Sequence, residues 1–263
     1  MTDRCHSYLD RGVMLPSSEV SFPSTLLRSG AVDAVFARAW RAARACRPIL
    51  IRGEAGTGKQ QCAKWFHRQS PRADKPLIIV RCTALTSALA EFQLWGHEAG
   101  AHCCARGRSL GLLRAAHGGV VLLEEIGRLP RAVQAKLASA LARREVVAVG
   151  SAVPVPVDLV PLATSSEDLR AHVAAGRFDP SLYDVLSEVE FPVPPLRDCR
   201  DTIPWLVDTL SRRYAARYAR PVVQPDAETL TRLQRYHWPG NLRELSDVIE
   251  RSYALDCAIV VPE

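Results

Sequence analysis

Lysine is scarce in this 263-residue chain: Lys59, Lys64, Lys75 and Lys136 are the only four, and arginine carries nearly all the positive charge. Lys+Arg 34 against Asp+Glu 28 leaves +6, a mild excess that permits contact with nucleotides or nucleic acid without arguing for it. Long apolar runs are lacking too. No stretch approaches the roughly 20 apolar residues of a membrane span, which excludes a helical integral membrane protein. The opening residues MTDRCHSYLD hold no apolar segment, so no secretory signal is expected. The eight cysteines (5, 46, 62, 82, 103, 104, 199, 257) show neither CxxC nor Cys/His finger spacing, and are expected as reduced thiols of a cytoplasmic protein rather than metal ligands. Internal repeats and low-complexity tracts are absent. What remains, 48% hydrophobic and 24% charged, is the balance of a globular protein with room for one large domain, or a core domain plus a small one.

Residues 1–30 are polar with scattered Pro and Ser, and read as an arm. In AVDAVFARAWRAARA, Val32, Val35, Phe36, Ala39 and Trp40 fall at helical spacing. PILIR, PLIIVRC (76–82), GGVVLLEEI (118–126) and VDLVPLATSS (157–166) are four apolar strands, and a helix is expected from about Arg131 to Arg143. Strands alternating with helices predict an α/β fold, a parallel sheet covered on both faces. A proline cluster in PVPPLRDCRDTIP (192–204) breaks this pattern. Three amphipathic helices follow, at 205–219, 226–236 and 241–255. The expected organisation is an arm (1–30), an α/β domain (31–198) and an all-helical lid (199–263).

Gly53-Glu54-Ala55-Gly56-Thr57-Gly58-Lys59 fits G-x-x-x-x-G-K between a strand and a helix. Glycines let loop amides turn onto phosphate oxygens, the helix N-terminus adds partial positive charge, and Lys59 is expected at the β- and γ-phosphates. Gln60 stands where a Ser/Thr hydroxyl usually meets Mg²⁺. Val120-Val121-Leu122-Leu123-Glu124-Glu125 is a buried strand ending in paired acids. In that arrangement the first carboxylate holds Mg²⁺ and the second activates water, which makes Glu124 the metal ligand and Glu125 the catalytic base. An Asp is usual at the first position. The extra methylene of Glu124 moves its carboxylate by about an ångström, enough to affect catalysis more than binding.

RGEAGTGKQ, LWGHEAGA, HGGVVLLEEIG, LPRAVQAKL, PPLRDCRDTIP and YHWPGNLRELSDVIERS occur in this order from residue 47 to about 255. In this the chain resembles the central AAA+ domain of bacterial enhancer-binding proteins, the activators of sigma-54 RNA polymerase. The resemblance implies an AAA+ P-loop domain with a helical lid, ATP or ADP with Mg²⁺ as ligands, a ring-like oligomer, and sigma-54 RNA polymerase as a partner. It also implies that Arg243, in Trp238-Pro239-Gly240-Asn241-Leu242-Arg243, is the lid's sensor of the nucleotide. The bland alternative is a surface ion pair, for which Asp247 is better placed than the adjacent Glu244.

Several positions depart from the family. Its GAFTGA loop, which contacts the sigma factor, is here Gly100-Ala101-His102-Cys103-Cys104-Ala105, which predicts a weakened contact. Arg81 replaces an Asn that restrains the Walker B glutamate, and is expected to pair with Glu125. Aligned through Asp168-Leu169, the γ-phosphate sensor Asn is Ser166, a donor of shorter reach. In the stretch that reads GxFRxDLYYRL in the family, Asp179 and Val185 occupy the two arginine-finger places. A finger is worth about a thousandfold or more in rate. A stand-in role for Arg177 would require a local shift of the chain. Arg213, Arg217 and Arg220 form a basic stripe, more simply a solvated face than a nucleic-acid contact. No helix-turn-helix is read up to Glu263, so any DNA binding is expected to need another segment or another protein.

Three functions are open on this basis. The first is an ATP-binding transcriptional regulator, impaired in hydrolysis and sigma-factor contact, assembling with itself or an intact relative. The second is an active ATPase that remodels sigma-54 RNA polymerase. The third is a nucleotide-free interaction scaffold, against which the intact glycines and Lys59 argue.

Overall fold

The computed structural model describes residues 33–101 and 107–261. The expected arm, and the loop positions His102, Cys103, Cys104 and Ala105, lie outside the described residues. By contact the chain divides into two units. One is Ala37–Glu54 with Lys59–Pro192, and the other takes in, of the described residues, 33–36, Ala55–Gly58 and 193–261.

The larger unit is built on strands β1 (Ile49–Arg52), β2 (Leu77–Arg81), β3 (Val120–Glu124), β6 (Val160–Ser165) and β7 (Glu190–Pro192), in the order β2-β3-β6-β1-β7 with every pairing parallel. The first four were legible as apolar runs, because parallel strands are buried on both faces and do not alternate. Ile49, Leu50, Ile51, Val121, Leu122 and Leu123 are all fully buried. The fifth strand, β7, is three residues long and ends in proline, too short for a periodic signal. A two-residue hairpin, β4 (Glu145–Val146) against β5 (Val155–Pro156), lies outside this sheet.

Helices α1 (Asp33–Arg44), α2 (Lys59–Gln69), α3 (Ser87–Trp95), α4 (Leu112–Ala115), α5 (Arg131–Arg143), α6 (Leu169–Ala174) and α7 (Pro180–Leu186) accompany the sheet. Trp95, Leu113, Leu137, Phe178, Leu182 and Leu186 join Leu50, Val121, Leu123 and Ala163 in one core. Helix starts follow local chemistry. Asp168 caps α6 by accepting from the Arg170 and Ala171 amides, and Asp179 caps α7, whose first residue is Pro180.

The C-terminal unit holds α8 (Ile203–Tyr218), α9 (Ala227–Arg235) and α10 (Asn241–Leu255). Their apolar faces close on Leu206, Leu210, Leu233, Trp238, Leu245, Ile249 and Tyr253. The Trp238 indole N–H donates to the Leu233 carbonyl at 2.8 Å. The fully buried Asn241 accepts from the Leu196 amide at 2.8 Å. The WPGN string is therefore a packed corner that opens α10. Along the arginine stripe, Arg217 pairs with Glu250 at 2.7 Å, Arg220 with Asp256 at 3.0 Å, and Arg213 lies over the Tyr214 ring. Two of the three charges are thus satisfied internally. Among the described residues no helix is long and apolar enough to cross a membrane.

Candidate nucleotide site

The central strands β1, β3 and β6 end together, and their ends carry the polar residues picked out from sequence. After β1 the loop turns through Gly53 and Glu54, whose carbonyls accept from Lys59 Nζ at 2.9 and 3.0 Å. Lys59, the first residue of α2, is only 6% exposed. Gly56 and Gly58 sit at φ +78° and +90°, a region that side-chain-bearing residues avoid. Thr57 is buried.

Residues Ala55–Gly58 group with the C-terminal unit, where the Asn241 side-chain amide donates to the Ala55 carbonyl at 3.0 Å. The Arg243 backbone N–H donates to the Gly56 carbonyl at 3.2 Å. A Cβ on Gly56 would stand 2.1 Å from the Gly240 carbonyl oxygen, so close approach as well as φ requires glycine here. The Arg243 side chain is exposed. Among the described residues no ion pair joins it to Glu244 or Asp247. Glu244 instead accepts from the Gly240 amide at 2.8 Å and the Tyr236 hydroxyl at 3.1 Å.

The two acids at the end of β3 have different surroundings. Glu124 is the last strand residue, in register with Arg81 of β2. The expectation that Arg81 pairs with Glu125 is corrected: Arg81 Nε lies 3.6 Å from Glu124 Oε2. The reason is the ladder, since residues in register on neighbouring strands project to the same side of the sheet. Burial raises the Glu124 carboxyl above its ordinary range, although Arg81, Lys64 and the Gln60 amide work against the rise. Its Oε1 is buried without a hydrogen-bond partner. A buried acceptor left unpaired costs roughly 1–3 kcal/mol, and a divalent cation is one group that would satisfy it. The residues therefore fit a Mg²⁺ held by Glu124, without the hydroxyl that Gln60 replaces.

Glu125 leaves the strand in a left-handed conformation, φ 51° and ψ 56°. Its amide donates to Thr164 Oγ1 at 3.0 Å. Its Oε1 is 3.0 Å from Lys59 Nζ, and its Oε2 accepts from the Ser166 amide at 2.8 Å and the Ser166 hydroxyl at 2.7 Å. Burial alone would raise this carboxyl, but the Ser166 hydroxyl and the Lys59 ammonium override it and hold it below the ordinary range. Lys59, Glu125 and Ser166 thus meet at one point. Thr164 was not singled out from sequence, because a threonine inside a strand reads as an ordinary β-former.

In the stretch 176–186, Asp179 is held by contacts within its own unit. Asp179 accepts from the Leu182 amide, donates its own N–H to Gln134 Oε1 at 2.8 Å, and lies 3.4 Å from Arg131. Its carboxylate is turned into its own unit. Arg177 is exposed and Val185 half-buried.

Comparison with known proteins agrees with this fold. Residues 26–192 match the family described as the Sigma-54 interaction domain, and residues 197–261 match the AAA+ ATPase lid domain. The response regulator protein PilR of Pseudomonas aeruginosa is 39% identical over 213 residues, covering 81% of this chain and 48% of PilR. The Nif-specific regulatory protein of Herbaspirillum seropedicae is 38% identical over 224 residues, covering 85% of this chain and 41% of that protein. The chain thus spans about half the length of the relatives it matches. Crystal structures of NtrX from Brucella abortus superpose with a TM-score of 0.80 at 29% identity, covering 91% of this chain and 57% of that one. NtrX in complex with ADP gives 0.78 at 31% identity, covering 86% and 50%. The complex with ATP gives 0.78 at 29%, covering 95% and 55%. A parallel five-stranded α/β domain with a phosphate loop, followed by a helical lid, therefore goes with the sequence match, and the chain belongs to the sigma-54 interaction domain family of AAA+ proteins.

Proposed function

We propose that the chain is a nucleotide-binding regulator of sigma-54-dependent transcription that binds ATP or ADP and is impaired in hydrolysis. Lys59, the loop amides from Gly53 to Gly58 and Gln60 hold the phosphates in this account, with Ser166 and Arg243 as sensors and Glu124 as ligand of Mg²⁺. Bound Mg²⁺ supplies charge neutralisation on phosphate oxygens. The NtrX complexes with ADP and ATP support nucleotide as the ligand. The observation that carries the impairment is Asp179. A carboxylate that caps α7 and faces Arg131 has no positive charge to offer a neighbouring subunit's triphosphate. The effect on transcription comes through assembly, with further copies of the chain or with an intact relative, in the cytoplasm.

One observation favours a second account, an active ATPase. Lys59 and Glu125 are both retained and stand together at the strand ends, so a phosphate-binding cation and a base for water are both present. Restoring arginine at 179 and 185 separates the two. Impairment by lost fingers predicts a rise in hydrolysis confined to the assembled form. An equal rise in monomers, or none in an assembly that binds nucleotide, contradicts it.

A further inference from the structure

Glu125 has both carboxylate oxygens engaged, and the two are held differently. Oε1 faces Lys59 Nζ, an ion pair that Lys59 must leave if it is to reach a phosphate. Oε2 is held by two donors of a single residue, the amide and the hydroxyl of Ser166. The same segment fixes the main chain, since Thr164 Oγ1 takes the Glu125 amide and steadies its left-handed backbone. Left-handed residues with a side chain persist only where their surroundings over-determine them.

We infer that Ser166 is the positioning residue of Glu125, fixing Oε2 through two donors so that Oε1, once Lys59 leaves it, is the oxygen that faces water. The inference rests on the nucleotide-binding account and adds to it a division of labour between the two carboxylate oxygens. With Oε2 held by two donors of Ser166 and Oε1 facing Lys59 alone, the carboxylate keeps one orientation. Neighbouring candidates are engaged elsewhere. Arg81 is drawn to Glu124 by strand register. The Ser165 hydroxyl is turned away, donating to the Glu167 carbonyl at 2.9 Å and accepting from the Glu167 amide at 3.1 Å.

The test is backbone amide hydrogen exchange by NMR on the full chain, with binding of a fluorescent ADP analogue measured on the same samples. Ser166 is exposed, so its amide owes its protection to Glu125. A hydrogen bond to a charged acceptor slows exchange there by about tenfold or more. That protection should vanish in Glu125→Ala, persist in Ser166→Thr and survive Arg81→Ala, while the amides of β3 report that each variant is folded. Equal exchange at Ser166 in wild type and Glu125→Ala overturns the assignment. Loss of protection in Arg81→Ala overturns it too, by moving the restraint to residue 81. If protection follows this pattern but the analogue does not bind, the positioning stands and the nucleotide account falls. In any form that turns over ATP, Ser166→Ala should lower kcat about tenfold with Kd unchanged, and Ser166→Thr should restore it. A kcat unmoved by Ser166→Ala contradicts the role.

Discussion

The carboxylate of Asp179 accepts a hydrogen bond from the Leu182 amide at 3.0 Å, closing the N-terminus of α7. The position that the sequence resemblance aligns with an arginine finger is thus a helix cap. Asp179→Ala should cost about 1 kcal/mol of stability, the usual worth of such a cap. The check is a urea melt of the larger unit's transition. No loss of stability would mean that the cap is replaced locally. Asp179→Arg should show the same loss, so any gain in hydrolysis from restored fingers comes with a lower midpoint.

Lys59→Ala should abolish stabilisation by nucleotide. Ligand at a hundred times its Kd adds about 2.7 kcal/mol to a protein that binds it only when folded. Thermal unfolding with and without Mg-ATP reads this directly. A shift that survives the substitution would place the ligand away from the phosphate loop.

Much of the fold was legible because its signals are local. α5 and α10 run over the expected 131–143 and 241–255, set by a continuous 3.6-residue apolar period. β7 was not legible, since three residues beside a proline carry no period. At the site, the phosphate loop and the paired acids were readable as strings, whereas partner choice was not. Sequence placed Arg81 against Glu125, but which acid an arginine meets depends on strand register, and the ladder sets Arg81 opposite Glu124. That Ser166 would reach Glu125 depended on where β6 ends, at Ser165, which a two-serine string does not disclose.

The cysteines should divide sharply in reactivity. Cys62, Cys82 and Cys199 are buried, and Cys257 is exposed. Burial together with Glu124 and Glu125 pushes the Cys82 thiol up to about 12. Burial likewise raises Cys62, against the pull of Lys59. In a pulse of iodoacetamide at neutral pH followed by peptide mass mapping, Cys257 should alkylate while Cys62 and Cys82 stay unmodified. Rapid labelling of Cys82 in the folded chain would contradict its buried place behind the acids.

Asp158 and Arg72 give a pH-dependent clip. Arg72 donates to both Asp158 carboxylate oxygens at 2.8 Å and to the Gly119 carbonyl at 3.0 Å. The Arg72 guanidinium holds the Asp158 carboxyl below its ordinary range. A folded pKa below the unfolded one means that the stabilisation is present at neutral pH. It is lost as pH falls from about 3.9 through the lower folded value. The urea midpoints of wild type and Asp158→Asn should therefore differ by a constant amount at neutral pH and converge in acid. A difference that widens in acid would reverse the sign and reject the clip.

The central claim, a nucleotide-binding member of the family without arginine fingers, is tested most directly by steady-state ATP hydrolysis across protein concentration, with nucleotide binding measured on the same samples. The account predicts binding that Lys59→Ala removes, and turnover that stays at background as the protein is concentrated. Turnover climbing steeply with concentration would contradict it, because assembly would then supply the catalysis that the account denies it.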